Sequence, residues 1–123
     1  MRRILFLLII SLCLDLNAQV NFIFDAKEAD SLEAIIPKQD IKQQIDLLNR
    51  LSFIYIRQSH TYSDSLARVA LSYARQKGYK EGEARAYYNI GILDYLHADY
   101  YPAYDRFIAA LVLAEDAEDT TLI

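Results

Sequence analysis

Cysteine is nearly missing from this 123-residue chain: Cys13 stands alone. A single thiol excludes an internal disulfide and any thiolate cluster for a metal. The 2 prolines and 3 glycines leave too little punctuation for a many-stranded sheet. Basic residues are in deficit, 13 Lys+Arg against 17 Asp+Glu, for a net charge of -4. A chain so balanced lacks the basic face that nucleic acid or an anionic membrane demands. No glycine-rich phosphate loop is present, since Gly78 and Gly82 are too few and too far apart. No serine lies in a nucleophile motif. His60 and His97 fall in separate turns, with no cysteine or second histidine near either in sequence. Asp94 shares a helical face with His97, but nothing converges on the pair as a metal or general-base site requires. Both histidines are therefore expected to be solvated turn residues. The chain is expected not to be an enzyme, with no catalytic residue, no metal and no cofactor.

What is abundant points to helix. Hydrophobic residues make up 54%, which is enough for a core and too much for disorder. Ala, Leu, Ile, Glu, Lys and Arg dominate long stretches and favour helix. The 10 tyrosines can fill gaps between helices while keeping their hydroxyls near water. At the start, Arg2-Arg3 precede an apolar run from Ile4 to Leu14 that only Ser11 breaks. A basic start followed by about 7–15 apolar residues describes a secretory signal, and spanning a bilayer needs roughly 20. Residues 1–18 are thus expected to be a signal peptide, cut after Ala18 or Gln19, with an uncleaved anchor as the alternative. Leu12 before Cys13 is not small, which argues against lipid attachment. The mature chain is expected outside the cytoplasm, periplasmic or secreted, with a membrane tether if the signal stays.

Beyond the signal, residues 19–38 read as a lead-in, extended at Val20–Phe24, and a short helix. Ala29, Leu32, Ile35 and Ile36 share one face of that helix, and Pro37 ends it. Asp40 caps a helix reaching Gln58, with Ile41, Ile45, Leu48, Ser52 and Tyr55 on one stripe. Ser59 to Asp64 reads as a turn, with Ser63 or Asp64 capping the next helix. Leu66, Val69, Ala70, Tyr73 and Ala74 repeat at helical spacing, and Gly78 stops the helix in a left-handed conformation. Tyr79 to Glu83 is a loop or a first turn, and Ala84 to His97 is helical. Asp99 caps the last helix, Pro102 suits its first turn, and Ala103, Phe107, Ala110, Leu111 and Ala114 form its buried face.

A shift of 40 residues places Asn49 on Asn89, Tyr55 on Tyr95, Ala70 on Ala110, Leu71 on Leu111 and Ala74 on Ala114. Similarity at a fixed period in the range of about 20–50 residues marks a solenoid. Tyr87, Ile90-Gly91, Ala98-Asp99-Tyr100, Ala103, Phe107 and Ala110 follow, in order, the pattern of a tetratricopeptide repeat, and Ala84 to Ala114 resembles that family. The resemblance implies an all-α fold of antiparallel helix-turn-helix hairpins stacked as a short solenoid. It makes residues 39–78 a first pair, 79–117 a second, and 118–123 the start of a truncated third. It further implies close helix packing at Gly91, Ala103 and Ala110. Asp94 departs from the family, standing where an aromatic is usual, and is expected to be partly solvated or hydrogen-bonded. In the upstream copy Leu51 replaces the glycine and Ala67 the aromatic. The spacing exceeds the family's usual ~34 residues. It resembles the longer repeats in extracytoplasmic regions of bacterial sensor kinases and regulators.

That family lines a concave groove with the first helix of each pair. The implied groove here holds Leu48, Asn49, Ser52 and Tyr55 from one copy and Arg85, Tyr88, Asn89, Ile92 and Tyr95 from the other. Asn49 and Asn89 can each donate to and accept from a peptide backbone, or else bond neighbouring helices. The expected function is a protein–protein interaction module, the sensory or scaffold part of a longer signalling protein, that takes a protein or peptide ligand. The alternatives are an accessory domain of a secreted enzyme and a small membrane-anchored adaptor. An uncapped last helix would leave an apolar face open to self-association.

Overall fold

The computed structural model describes residues 2–10 and 25–121. The expected cleavage site and the extended lead-in at Val20–Phe24 lie outside the described residues. So does most of the third-repeat start at 118–123 as far as side chains are concerned. Residues 2–10 are helical and their apolar side chains are exposed. Among the described residues no helix is long and apolar enough to cross a membrane.

The remainder is helical, with no strand among the described residues. Helix α1 spans Ala26–Ile35, and a 3-10 turn over Ile36–Lys38 follows it. Helices α2 (Ile41–Tyr55), α3 (His60–Lys77), α4 (Lys80–Leu96) and α5 (Tyr100–Thr121) complete the chain. Asp25 caps α1, its carboxylate accepting from the Lys27 and Glu28 backbone amides. Asp40 caps α2 in the same way, through the Gln43 amide at 2.9 Å. Pro37 falls inside the 3-10 turn, where its missing N–H costs nothing, so the chain turns one residue earlier than the proline itself.

Helix α2 ends at Tyr55, short of Gln58, and α3 begins at His60. Its cap is Ser59, whose Oγ accepts from the Tyr62 amide at 3.3 Å, and neither Ser63 nor Asp64 plays that part. Ser63 is instead buried inside α3, donating to the Ser52 carbonyl at 2.6 Å while Ser52 donates to the Ser63 carbonyl at 2.8 Å. This reciprocal pair lets α2 and α3 approach closely with every hydroxyl satisfied. Gly78 closes α3 with φ 65, and its amide returns to Ala74 and Arg75. Residues 80–83 are the first turn of α4, not a loop. Between α4 and α5 the reversal uses Ala98 at φ 61.

Each helix packs on the next, and α2 also touches α4. The core lies where α1 to α4 meet: Ala29, Leu32, Leu48, Leu51, Ile54, Leu66, Ala67, Ala70, Leu71, Ala86 and Ile90 form one buried cluster. Glu33 ties α1 down by accepting from the hydroxyls of Tyr55 at 3.3 Å and Tyr62 at 3.1 Å. Burial first, then Glu33, holds both phenols above their ordinary pKa. The approach at Gly91 is as close as the sequence implies: an added Cβ would lie 2.7 Å from Phe107 Cε1 on α5. Asp94 is partly solvated and faces Arg106 across the same interface at 3.6 Å.

The buried face of α5 is narrower than its sequence suggests. Ala103 and Ala110 are buried and Phe107 partly so, but Leu111 is 54% exposed and Ala114 is exposed. Their counterparts Leu71 and Ala74 are buried because α4 lies over α3. Among the described residues helix α5 packs on α4 alone, and Ile108, Leu111 and Val112 are left exposed.

Candidate functional site

A cleft of about 520 Å³ opens along the side where α2 and α4 lie next to one another. Asp46, Asn49, Arg50 and Phe53 line it from α2 at helical spacing. Glu81, Arg85, Tyr88 and Asn89 line it from α4, and Tyr79 closes the end just before that helix. The two walls meet because α3 returns the chain, so that α4 runs in the same sense as α2.

The sequence-implied groove residues divide between this cleft and other surroundings. Asn49, Arg85, Tyr88 and Asn89 line it. Leu48 and Ser52 are buried in the core and do not line the cleft. Tyr55 stacks edge-on against Tyr62 at 4.7 Å, away from the cleft. Ile92 is half-buried, and Tyr95 packs on Tyr100 at the α4–α5 junction. The stripe on each helix was read wider than the open side, and neighbouring helices cover its flanks. Asp46, Arg50, Phe53, Tyr79 and Glu81 were missed. Phe53 carried the clearest signal, a large aromatic on α2 that lies outside the apolar stripe of that helix.

Asn49 and Asn89 are 3% exposed and lace the two walls together. Asn49 Nδ2 donates to the Gly82 carbonyl at 2.9 Å, and Asn89 Nδ2 donates to the Asn49 carbonyl at 2.9 Å. Their amide protons therefore serve the scaffold first. Asn49 Oδ1 has no hydrogen-bond partner. Asn89→Ala is expected to lower unfolding free energy by about 1 kcal/mol, the net worth of one buried hydrogen bond. Urea titration checks it, and an unchanged midpoint would remove the scaffold role.

The charges of the cleft are mixed. Asp46 accepts from the Tyr79 hydroxyl at 2.8 Å, and burial with this bond pushes the Tyr79 phenol well above its ordinary pKa. Lys42 sits over the Tyr79 ring at 4.8 Å. Arg50 pairs with Glu28 of α1. Phe53 and Tyr88, 48% and 50% exposed, give the cleft an apolar surface on each wall. No nucleophile–base pair is assembled there, and among the described residues no group of three or more His, Cys, Asp or Glu could hold a metal. What such a lining can do is receive an extended chain: aromatic faces for side chains, charged groups of both signs at the rim, and one unpaired amide oxygen.

Comparison with protein-family models, with curated proteins and with solved structures finds no match.

Proposed function

We propose that the chain is a non-catalytic interaction module of the tetratricopeptide type, whose α2–α4 cleft receives an extended segment of another protein. The observation that carries this reading is the cleft itself, with Phe53 and Tyr88 exposed on its two walls and Asn49 and Asn89, 40 residues apart in sequence, lacing those walls together. Ligand clefts combine aromatic side chains with a few placed polar groups, and this one holds Phe53, Tyr79 and Tyr88 beside Asn49. The packing order supports the solenoid part of the reading: successive helices touch, and the first helices of the two pairs touch one another. The basic and apolar start at Arg2–Leu14 supports placement outside the cytoplasm, where such a module would serve a sensory or scaffold role.

The test is selection from a random peptide library on the full chain. Selected peptides are expected to lose about tenfold or more in affinity on Phe53→Ala or Tyr88→Ala, the scale of an aromatic hot spot. Both side chains are half exposed, so neither change should remove the fold. Peptides that bind both variants as tightly as the parent would place the binding surface elsewhere and end this reading.

A further inference from the structure

His60 and His97 stand 37 residues apart in sequence, yet their side chains meet. His60 is the first residue of α3 and His97 follows the last residue of α4. Antiparallel helices bring the start of one to the end of the other, so both turns lie at one end of the fold. His60 Nδ1 and His97 Nε2 are 2.8 Å apart, with the rings edge-on at 4.5 Å between centroids. His60 is half-buried and His97 exposed, so solvent reaches the pair.

A hydrogen bond between two imidazoles needs one nitrogen bearing hydrogen and one bare. A bare imidazole nitrogen is also the commonest protein ligand for Zn²⁺, Cu²⁺ and Ni²⁺. Two nitrogens bound to one tetrahedral ion at ~2.0–2.1 Å lie about 3.3 Å apart. The observed separation falls short of that by about half an ångström, which a small tilt of two accessible rings supplies.

We propose that His60 and His97 form a binding site for one borderline divalent cation, Zn²⁺, Ni²⁺ or Cu²⁺, seated between their facing ring nitrogens. On binding, the hydrogen between the rings passes through solvent to the outer nitrogen of the ring that carried it. Both imidazoles stay neutral, both facing nitrogens give their lone pairs to the ion, and no proton is lost from the pair. Among the described residues no third His, Cys, Asp or Glu completes the set, so water fills the remaining positions and the ion exchanges readily. Hard cations such as Mg²⁺ prefer oxygen and are not retained. The ion ties the α2–α3 turn to the α4–α5 turn, and so clamps the two helix pairs that form the cleft. The site stands on the histidine geometry and is independent of what the cleft binds.

The experiment is thermal unfolding of the full, untagged chain with each ion. Cu²⁺ is expected to raise the midpoint most, with Ni²⁺ and Zn²⁺ below it and Mg²⁺ without effect. At an ion concentration 100 times the dissociation constant, the folding equilibrium constant should rise about 100-fold. His60→Gln and His97→Gln should each abolish the rise. The chain has only 2 histidines, so their ring-proton resonances also report directly: substoichiometric Cu²⁺ should broaden both selectively. A midpoint unmoved by all three ions, a rise that survives in either variant, or ring resonances that stay sharp would each overturn the site.

Discussion

Ile90→Ala is expected to cost about 2–5 kcal/mol of unfolding free energy, the range for truncating a buried isoleucine to alanine. Ile90 is 1% exposed and sits in the cluster with Leu51, Ala70, Leu71 and Ala86. The cluster's other members are anchored on packed helices, so the void closes only in part, and the cost falls within that range according to how far they relax. For a domain of this size each kcal/mol moves the midpoint by roughly 4–8 °C, so the change is visible in a single melt. Leu111→Ala removes an equally large side chain from a position 54% exposed, and should stay within about 0.5 kcal/mol. Equal losses at the two sites would mean that α5 is covered in solution and α4 is not packed as described.

Gly82→Val is the second large effect, and it acts by crowding. A Cβ at Gly82 would lie 2.6 Å from Ile45 Cγ2 and 2.6 Å from Tyr79 Cδ2. Ile45 is fully buried and has nowhere to go. Tyr79 is held by its bond to Asp46 and by the Lys42 ammonium over its ring. Replacing a helical glycine gains at most about 1 kcal/mol of propensity, and less for a β-branched residue. Overpacking a filled contact costs typically about 1–3 kcal/mol and sometimes more. The crowding wins, and net destabilisation is expected in denaturant titration. Because the Gly82 carbonyl accepts from Asn49 and Tyr79 lines the cleft, the same variant should also weaken any peptide selected on the parent chain. A variant as stable as the parent would show that α2 and α4 do not approach this closely.

Gly82 and Gly91 show what a linear reading can and cannot reach. Gly91 was legible because its place in the repeat pattern implies close approach, and Phe107 stands there. Gly82 was not, because its clash partner Ile45 is 37 positions away and no local pattern joins them. The asparagines were half legible. Their shared face follows from helical phase, but their partners depend on α4 lying beside α2. The meeting of the histidines was out of reach for the same reason: only the return of the chain puts ring nitrogen against ring nitrogen.

By itself the sequence determined that this protein is helical, where most helices stop, and which residues can face inward. Those properties arise from the 3.6-residue period, from caps such as Asp40 and from the left-handed stop at Gly78, all of them local. Tertiary structure alone decided which inward-capable faces are covered. It buried Leu71 and left Leu111 in water, and it withdrew Leu48, Ser52 and Tyr55 from the cleft while bringing Phe53 and Tyr79 into it. The physical reason is that burial belongs to pairs of helices. A stripe of apolar residues states only that a partner is possible, and packing supplies or withholds it.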